Sequence, residues 1–81
     1  MTEEIIWNEV RKNIAEILPS VDVNGIKSND RLVDLGANSV DRVEIVTLTL
    51  EGLNLTIPPH ELAKANNLGD LVEILLKKAS L

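Results

Sequence analysis

The residues best suited to chemistry lie between Asp30 and Glu44, where the chain reads DRLVDLGANSVDRVE. Asn38 is a good helix N-cap, and Asp41 three residues later resembles the second half of a capping box. Ser39 then lies on the first helical turn, beside backbone N–H groups that have no partner within the helix. Because these groups and the helix dipole favour an anion, Ser39 is well placed to carry a phosphate ester. The alternative is that Ser39 merely belongs to a helix cap.

A catalytic role for this serine has little support. No general base accompanies Ser39 in the local sequence, and the single histidine, His60, lies 21 positions further on. The chain has no cysteine, which excludes a thiol nucleophile and a thiolate metal site. One histidine also excludes zinc sites that are built from several imidazoles. We therefore expect a protein that is not an enzyme.

Composition and charge narrow the class further. With 81 residues the chain allows one small domain, 1–81, which cannot surround a large substrate in a deep cleft. A net charge of −5 and a single aromatic residue, Trp7, argue against a nucleic-acid partner. No stretch is long and apolar enough to cross a bilayer, and the acidic N-terminus is unlike a secretory signal. We expect a cytoplasmic protein with no membrane contact, acting as a monomer.

The N-terminal half predicts two helices joined by a long loop. The first helix is capped by Thr2 and stopped by Pro19, with one apolar stripe: Ile6, Val10, Ile14 and Ile17. The loop, residues 20–38, has no sustained period, and Gly36 is expected to let it approach the next helix tightly. The second helix is predicted to bury the stripe Val43, Val46 and Leu50, widened by Ile45, Leu48 and Leu53. Gly52 is expected to end it.

The C-terminal part predicts an extended connector and two further helices. The connector carries alternating apolar residues, which would make a lone strand with no partner: Leu53, Leu55 and Ile57. Pro59 fits the start of a short helix that reaches about Lys64. Asn67 caps a last helix with the buried face Leu68, Leu71, Val72 and Leu75. The fold class is an all-α four-helix bundle with three main helices and a short third one.

Negative charge is concentrated around the proposed modification site. Residues 30–61 carry six acids and two bases, a net charge of −4, whereas the rest of the chain has a net charge of −1. This asymmetry favours docking onto cationic partner surfaces.

The stretch LGANSVDRVE resembles the phosphopantetheine attachment motif of acyl carrier proteins, whose usual form is LGxDSLxxVE. The similarity covers nearly the whole chain, from the first helix and long loop to the proline-led third helix and the fourth. It implies an acyl-carrier bundle in which Ser39 holds a 4′-phosphopantetheine arm through a phosphodiester. The thiol at the end of that arm would carry acyl groups as thioesters, which fits the absence of cysteine.

The same resemblance implies that helix two is the recognition element. Residues that such proteins present to partner enzymes match Val40, Asp41, Val43 and Glu44. A phosphopantetheinyl transferase would load the arm, and enzymes of acyl-chain assembly would use it. Because exposed charges would guide these contacts, we expect charge reversal at Asp41 or Glu44 to slow acyl transfer and leave the fold intact.

Two departures from the general motif point to a narrower group. Asn38 replaces the usual aspartate before the serine, and Val40 replaces the usual leucine after it. The string GANSVDR resembles the free-standing donor carriers of β-branching cassettes in modular polyketide synthases. Such a carrier holds acetyl for an enzyme similar to hydroxymethylglutaryl-CoA synthase (HMG synthase), and Arg42 is the candidate for partner discrimination. The chain starts at Met1 and ends just after the fourth helix, which suits a discrete protein.

Three alternatives remain open at this point. The chain could be a general fatty-acid or polyketide carrier, or a peptidyl carrier protein, since both share the attachment motif. From another class, it could be a helical adaptor that binds proteins and bears no cofactor. Among the other residues, Trp7 is interpreted as a packing residue and His60 as a solvated side chain.

Overall fold

Four α-helices form an all-α bundle in the computed structural model, which describes residues 1–80. Helix α1 spans Glu3–Ile17, α2 spans Ser39–Leu53, α3 spans Pro59–Leu62 and α4 spans Leu68–Ala79. The long loop between α1 and α2 contains a 3-10 turn, Val23–Gly25. This confirms the predicted fold class, with its short third helix and long first loop. None of the helices in residues 1–80 is long and apolar enough to span a membrane.

Helix α1 begins and ends as the sequence predicts. Thr2 Oγ1 accepts a hydrogen bond from the Ile5 backbone N–H at 3.2 Å and caps the helix. The apolar stripe Ile6, Val10 and Ile14 is fully buried in the core. The interpretation of Trp7 as a packing residue is confirmed, since its half-buried ring lies against this core with the Arg11 guanidinium 5.3 Å from its centroid.

Helix α4 supplies the opposite wall of the core. Asn67 Oδ1 accepts a hydrogen bond from the Asp70 backbone N–H at 2.8 Å, which confirms the predicted cap. The predicted face is also confirmed, because its four members are all buried: Leu68, Leu71, Val72 and Leu75. These side chains join those of α1 and α2 in one buried cluster, whose removal from water stabilises the fold.

Helix α2 confirms most of its predicted apolar face, with Val46 and Leu50 half-buried against the core, and corrects one member of it. The buried side chains are Ile45, Thr49 and Leu53, whereas Val43, assigned to the buried stripe, is 66% exposed. A helix that is apolar over most of its circumference has little amphipathic signal, so its sequence does not reveal the inward side. That side is chosen by contact with α1, against which α2 packs along its length.

A buried polar contact fixes how α1 and α2 are aligned. Asn13 Nδ2 donates to Thr49 Oγ1 at 3.1 Å and to the Glu9 carbonyl oxygen at 2.9 Å. The Thr49 hydroxyl in turn donates to the Ile45 carbonyl oxygen at 2.7 Å. Because both side chains are buried, sliding one helix past the other would leave polar atoms without partners.

The end of α2 corrects the role assigned to glycine. Asn54, in the left-handed region at φ 55°, caps the helix, and Gly52 lies within it. A Cβ atom at Gly52 would overlap the end of the Glu9 side chain, so this glycine leaves room for that carboxylate of α1. The connector that follows is not a strand, as expected, with Leu55 half-buried and Ile57 buried, but Leu53, which was assigned to it, is the last residue of α2.

The long loop is held by backbone contacts with α4. The Leu68 N–H donates to the Asp30 carbonyl oxygen at 2.9 Å, and the Gly69 N–H donates to the Ser28 carbonyl oxygen at 2.8 Å. These donors belong to the first turn of α4, where no carbonyl within the helix is available. A Cβ atom at Gly69 would lie 3.0 Å from Ser28, so the contact depends on glycine there.

The Asn13–Thr49 contact yields a stability prediction. Asn13→Ala should lower the free energy of unfolding by about 1–3 kcal/mol, because it removes buried hydrogen bonds and leaves a gap. Urea denaturation measures the loss. The matched control is Asn8→Ala, at an exposed position of the same helix, which should change stability by no more than about 0.5 kcal/mol. Equal losses in the two variants would show that the buried contact does not hold the helices together.

Candidate cofactor-attachment site

The site is built on the first turn of α2. Asn38 Oδ1 accepts a hydrogen bond from the Asp41 backbone N–H at 2.8 Å, and Asp41 Oδ2 accepts one from the Asn38 N–H at 3.1 Å. This reciprocal pair is the predicted capping box. An asparagine therefore keeps the cap that an aspartate would make, without its negative charge. The first helical residue is fixed as Ser39.

A tight turn leads the chain into this cap. Gly36 has φ 100°, a conformation that residues with a Cβ rarely adopt. A Cβ atom there would meet nothing within 4 Å, so the glycine is required by its backbone angle and not by the close approach that we expected. Ala37 is buried beneath the turn, and its N–H donates to the Leu32 carbonyl oxygen at 3.0 Å. The turn anchors the loop immediately before Ser39.

Ser39 is exposed, and its hydroxyl lies beside a cation. Arg42, one turn further along α2, donates from Nη2 to Ser39 Oγ at 3.4 Å. Within residues 1–80 no histidine or carboxylate bonds to this hydroxyl, and His60 is an exposed residue of α3. A serine without a base is a poor nucleophile but a suitable point of attachment for an anionic group. No cluster of potential metal ligands occurs in the described part of the chain.

Two valines make the surface around Ser39 apolar. Val40 is 67% exposed and Val43 is 66% exposed, and both lie on α2 within one turn of the serine. Glu44 is exposed beside them. Large apolar side chains held in water next to a charged residue are typical of a protein-docking surface. The structure thus brings Val40, Val43 and Glu44 together on the exposed side of α2.

Asp41 differs from the other candidates in two ways. Its carboxylate is engaged in the capping box, and it is half-buried where the others are exposed. Reversing its charge would remove one of the two hydrogen bonds that begin α2. Charge reversal at Asp41 therefore weakens the helix cap as well as changing the surface charge, so it does not test docking alone. Glu44 makes no capping contact and is the position at which docking can be tested without disturbing the helix.

The sequence did not single out Val33, an exposed apolar residue of the loop that leads to this site. It is 46% exposed on the loop before α2 and, with Arg42, lines an open cleft of about 790 Å³ between this loop, α2 and the segment around α3. Its neighbour Leu32 is half-buried against the core. The sequence contains one sign of this, the adjacent apolar residues Leu32 and Val33, because a loop rarely buries two such neighbours. It does not say which of the two faces water.

Comparison with known proteins agrees with this geometry. The family model described as the phosphopantetheine attachment site matches residues 8–75. A polyketide biosynthesis acyl carrier protein, AcpK of Bacillus subtilis, is 45% identical over 78 residues, covering 96% of this chain and 95% of the relative. The acyl carrier protein of Wolinella succinogenes is 34% identical over 71 residues, which cover 86% of this chain and 92% of the relative.

A solved structure gives the same fold. It is the crystal structure of the HMG synthase of the curacin biosynthetic pathway in complex with acetyl donor acyl carrier protein. The match has a TM-score of 0.86 at 36% identity and covers 96% of this chain and 100% of the other.

The residues at the start of α2 fit the cofactor of this family, a covalently attached 4′-phosphopantetheine. An exposed hydroxyl offers the point of attachment, and the adjacent guanidinium and helix N-terminus both favour the negative charge of a phosphodiester. The match to the family model spans most of the chain, including both flanks of this turn. The chain therefore belongs to the acyl carrier proteins, the family that carries 4′-phosphopantetheine at a serine-bearing attachment site.

Proposed function

We propose that Ser39 carries the 4′-phosphopantetheine arm and that the chain itself catalyses no reaction. The observation that supports this most directly is the geometry of α2: its capping box fixes an exposed serine as the first helical residue, with a cation against its hydroxyl. When attached, the arm supplies the thiol that holds acyl groups as thioesters. The chain contributes the attachment point and a surface that enzymes recognise.

We further propose that the acyl group is acetyl and that the chain donates it to an enzyme similar to HMG synthase in polyketide β-branching. Two findings support this role. The relative from Bacillus subtilis is named as a polyketide biosynthesis carrier, and the matching solved structure is an acetyl donor carrier bound to an HMG synthase. The recipient enzyme would add the acetyl group to a β-ketoacyl chain on a second carrier.

The second candidate is a general acyl carrier. It is favoured by the 34% identity with the acyl carrier protein of Wolinella succinogenes. Since the bundle is common to both roles, the distinction depends on the residues around Ser39. These are Asn38, Val40 and Arg42, at which the chain departs from the general motif or adds a cation.

Attachment at Ser39 is tested by intact mass. Incubation with a phosphopantetheinyl transferase and CoA should add one phosphopantetheine to the protein, and Ser39→Ala should abolish the addition. Ser20→Ala, at another exposed serine, should load as the wild type does. A protein that gains no mass would be a helical adaptor, and loading that survives in Ser39→Ala would place the arm elsewhere.

Docking is tested by charge reversal on the exposed side of α2. Glu44→Lys in the fully loaded protein should lower kcat/KM for acyl transfer about 5- to 30-fold, because a lysine would face a cationic partner surface. The effect should shrink as salt rises, since exposed charges are screened. Glu73→Lys makes the same charge change at an exposed position of α4 and should have little effect. Equal rates for the two variants, at low and high salt, would contradict docking through α2.

Donor identity is tested with the triple variant Asn38→Asp, Val40→Leu, Arg42→Gln. Acetyl transfer to HMG synthase should weaken by about 1–3 kcal/mol, because a few desolvated contacts would be altered. Loading of the arm should persist, because aspartate also caps the helix. Rates are compared for wild type, triple variant and a general carrier with DSL at the site, each fully loaded. If all three transfer acetyl equally, the chain is a general carrier.

A further inference from the structure

Within residues 1–80 the Arg42 guanidinium forms no ion pair with a carboxylate. The ion pairs within residues 1–80 are Lys12–Glu9 and Lys78–Glu61, both far along the chain from the attachment turn. The nearest acid in sequence, Asp41, has its carboxylate engaged with the Asn38 N–H. The guanidinium is instead directed at the neutral hydroxyl of Ser39.

The contact between Arg42 and Ser39 is long for a hydrogen bond. Nη2 lies 3.4 Å from Oγ, whereas a guanidinium paired with an anion approaches oxygen to about 2.7–2.9 Å. The residues are three apart on α2, so they lie on the same face of the helix. The guanidinium has five donors in a planar fork, and a single hydroxyl oxygen satisfies only one of them.

A phosphodiester at Ser39 would change what Arg42 meets. The two nonbridging oxygens of the phosphodiester would each lie two bonds from Ser39 Oγ. The Arg42 guanidinium already lies next to that Oγ atom. The two oxygens share one negative charge, and arginine binds such oxygens through two parallel N–H···O contacts. The N-terminal N–H groups of α2 would act on the same anion.

We propose that Arg42 pairs with the phosphodiester and so holds the base of the attached arm against the first turn of α2. This inference rests on the proposed attachment at Ser39. Arg42 is then a positioning residue for the arm, in addition to any contact it makes with a partner enzyme. The general motif LGxDSLxxVE requires no cation at this position, so the pairing would distinguish this chain among carriers.

Arg31 provides a matched control for the charge. It is exposed and lines the same open cleft as Arg42, but it makes no side-chain contact with Ser39. Arg31→Gln removes the same charge from the same region and leaves the proposed pair in place. Arg42→Lys keeps the charge of Arg42 but loses the planar fork, so it should be intermediate.

The experiment uses the carrier alone, so that partner contacts cannot contribute. Wild type, Arg42→Gln, Arg42→Lys and Arg31→Gln are each loaded with phosphopantetheine to completion by intact mass. Absence of loading at Ser39 in every protein would contradict the proposed function itself. The phosphorus NMR shift of the phosphodiester and the melting temperatures of unloaded and loaded protein are then measured at low and high salt.

At low salt, the phosphorus chemical shift should be the same in wild type and Arg31→Gln and should differ in Arg42→Gln. This difference should become smaller as salt rises, because exposed charges are screened. The gain in melting temperature on loading should be about 1–5 °C smaller in Arg42→Gln than in wild type, as for one exposed ion pair in a small domain. Comparing loaded with unloaded protein for each variant removes any effect of the substitution on folding. The same phosphorus shift and the same gain in wild type and Arg42→Gln would overturn the pairing.

Discussion

The capping box between Asn38 and Asp41 is the interaction on which the functional half of the molecule depends. It fixes the residue at which α2 begins and so holds Ser39 on the first turn, at the end of the helix. On this helix, Ser39 and Val43 face water while Ile45 faces the core. The packing of α2 against α1 sets which side chains face the core, and the cap sets where the helix begins in front of them.

The buried Asn13–Thr49 contact holds the same helix from the inside. The capping box sets where α2 begins, and the hydrogen bond to α1 fixes how the helix is aligned in the bundle. The loop is fixed in turn by its backbone contacts with the first turn of α4. An attachment serine on such a turn is presented by rigid elements, and the flexible reach that carriers need is left to the arm.

Charge and apolarity are divided between the two sides of α2. Its inner side is almost uncharged and packs on α1, whereas its outer side combines exposed valines with Glu44 and the single cation Arg42. Acidic charge around the site suits steering toward basic enzymes over several ångströms, while close apolar contacts decide the fit. Arg42 is exposed and its guanidinium lies beside Ser39, so an attached arm and an approaching partner would both meet it.

Local signals in the sequence determined the helix starts, because a cap is a contact between residues three apart. Thr2, Asn38 and Asn67 were all identifiable from their type and position, and each caps a helix as expected. The buried faces of α1 and α4 were also predictable, since their apolar residues form single stripes that only a core can satisfy. The attachment motif around Ser39 was recognisable for the same reason, because it is contiguous in the chain.

Only the tertiary structure decided what depends on a neighbouring element. Thr49 on the inner side of α2 meets Asn13 across 36 positions, a polar contact that no apolar stripe on α2 indicated. Gly52 serves the approach of Glu9 from α1 rather than the end of its own helix, which Asn54 provides. Contacts of this kind join residues whose proximity the local sequence does not encode, so they follow from the assembled bundle alone.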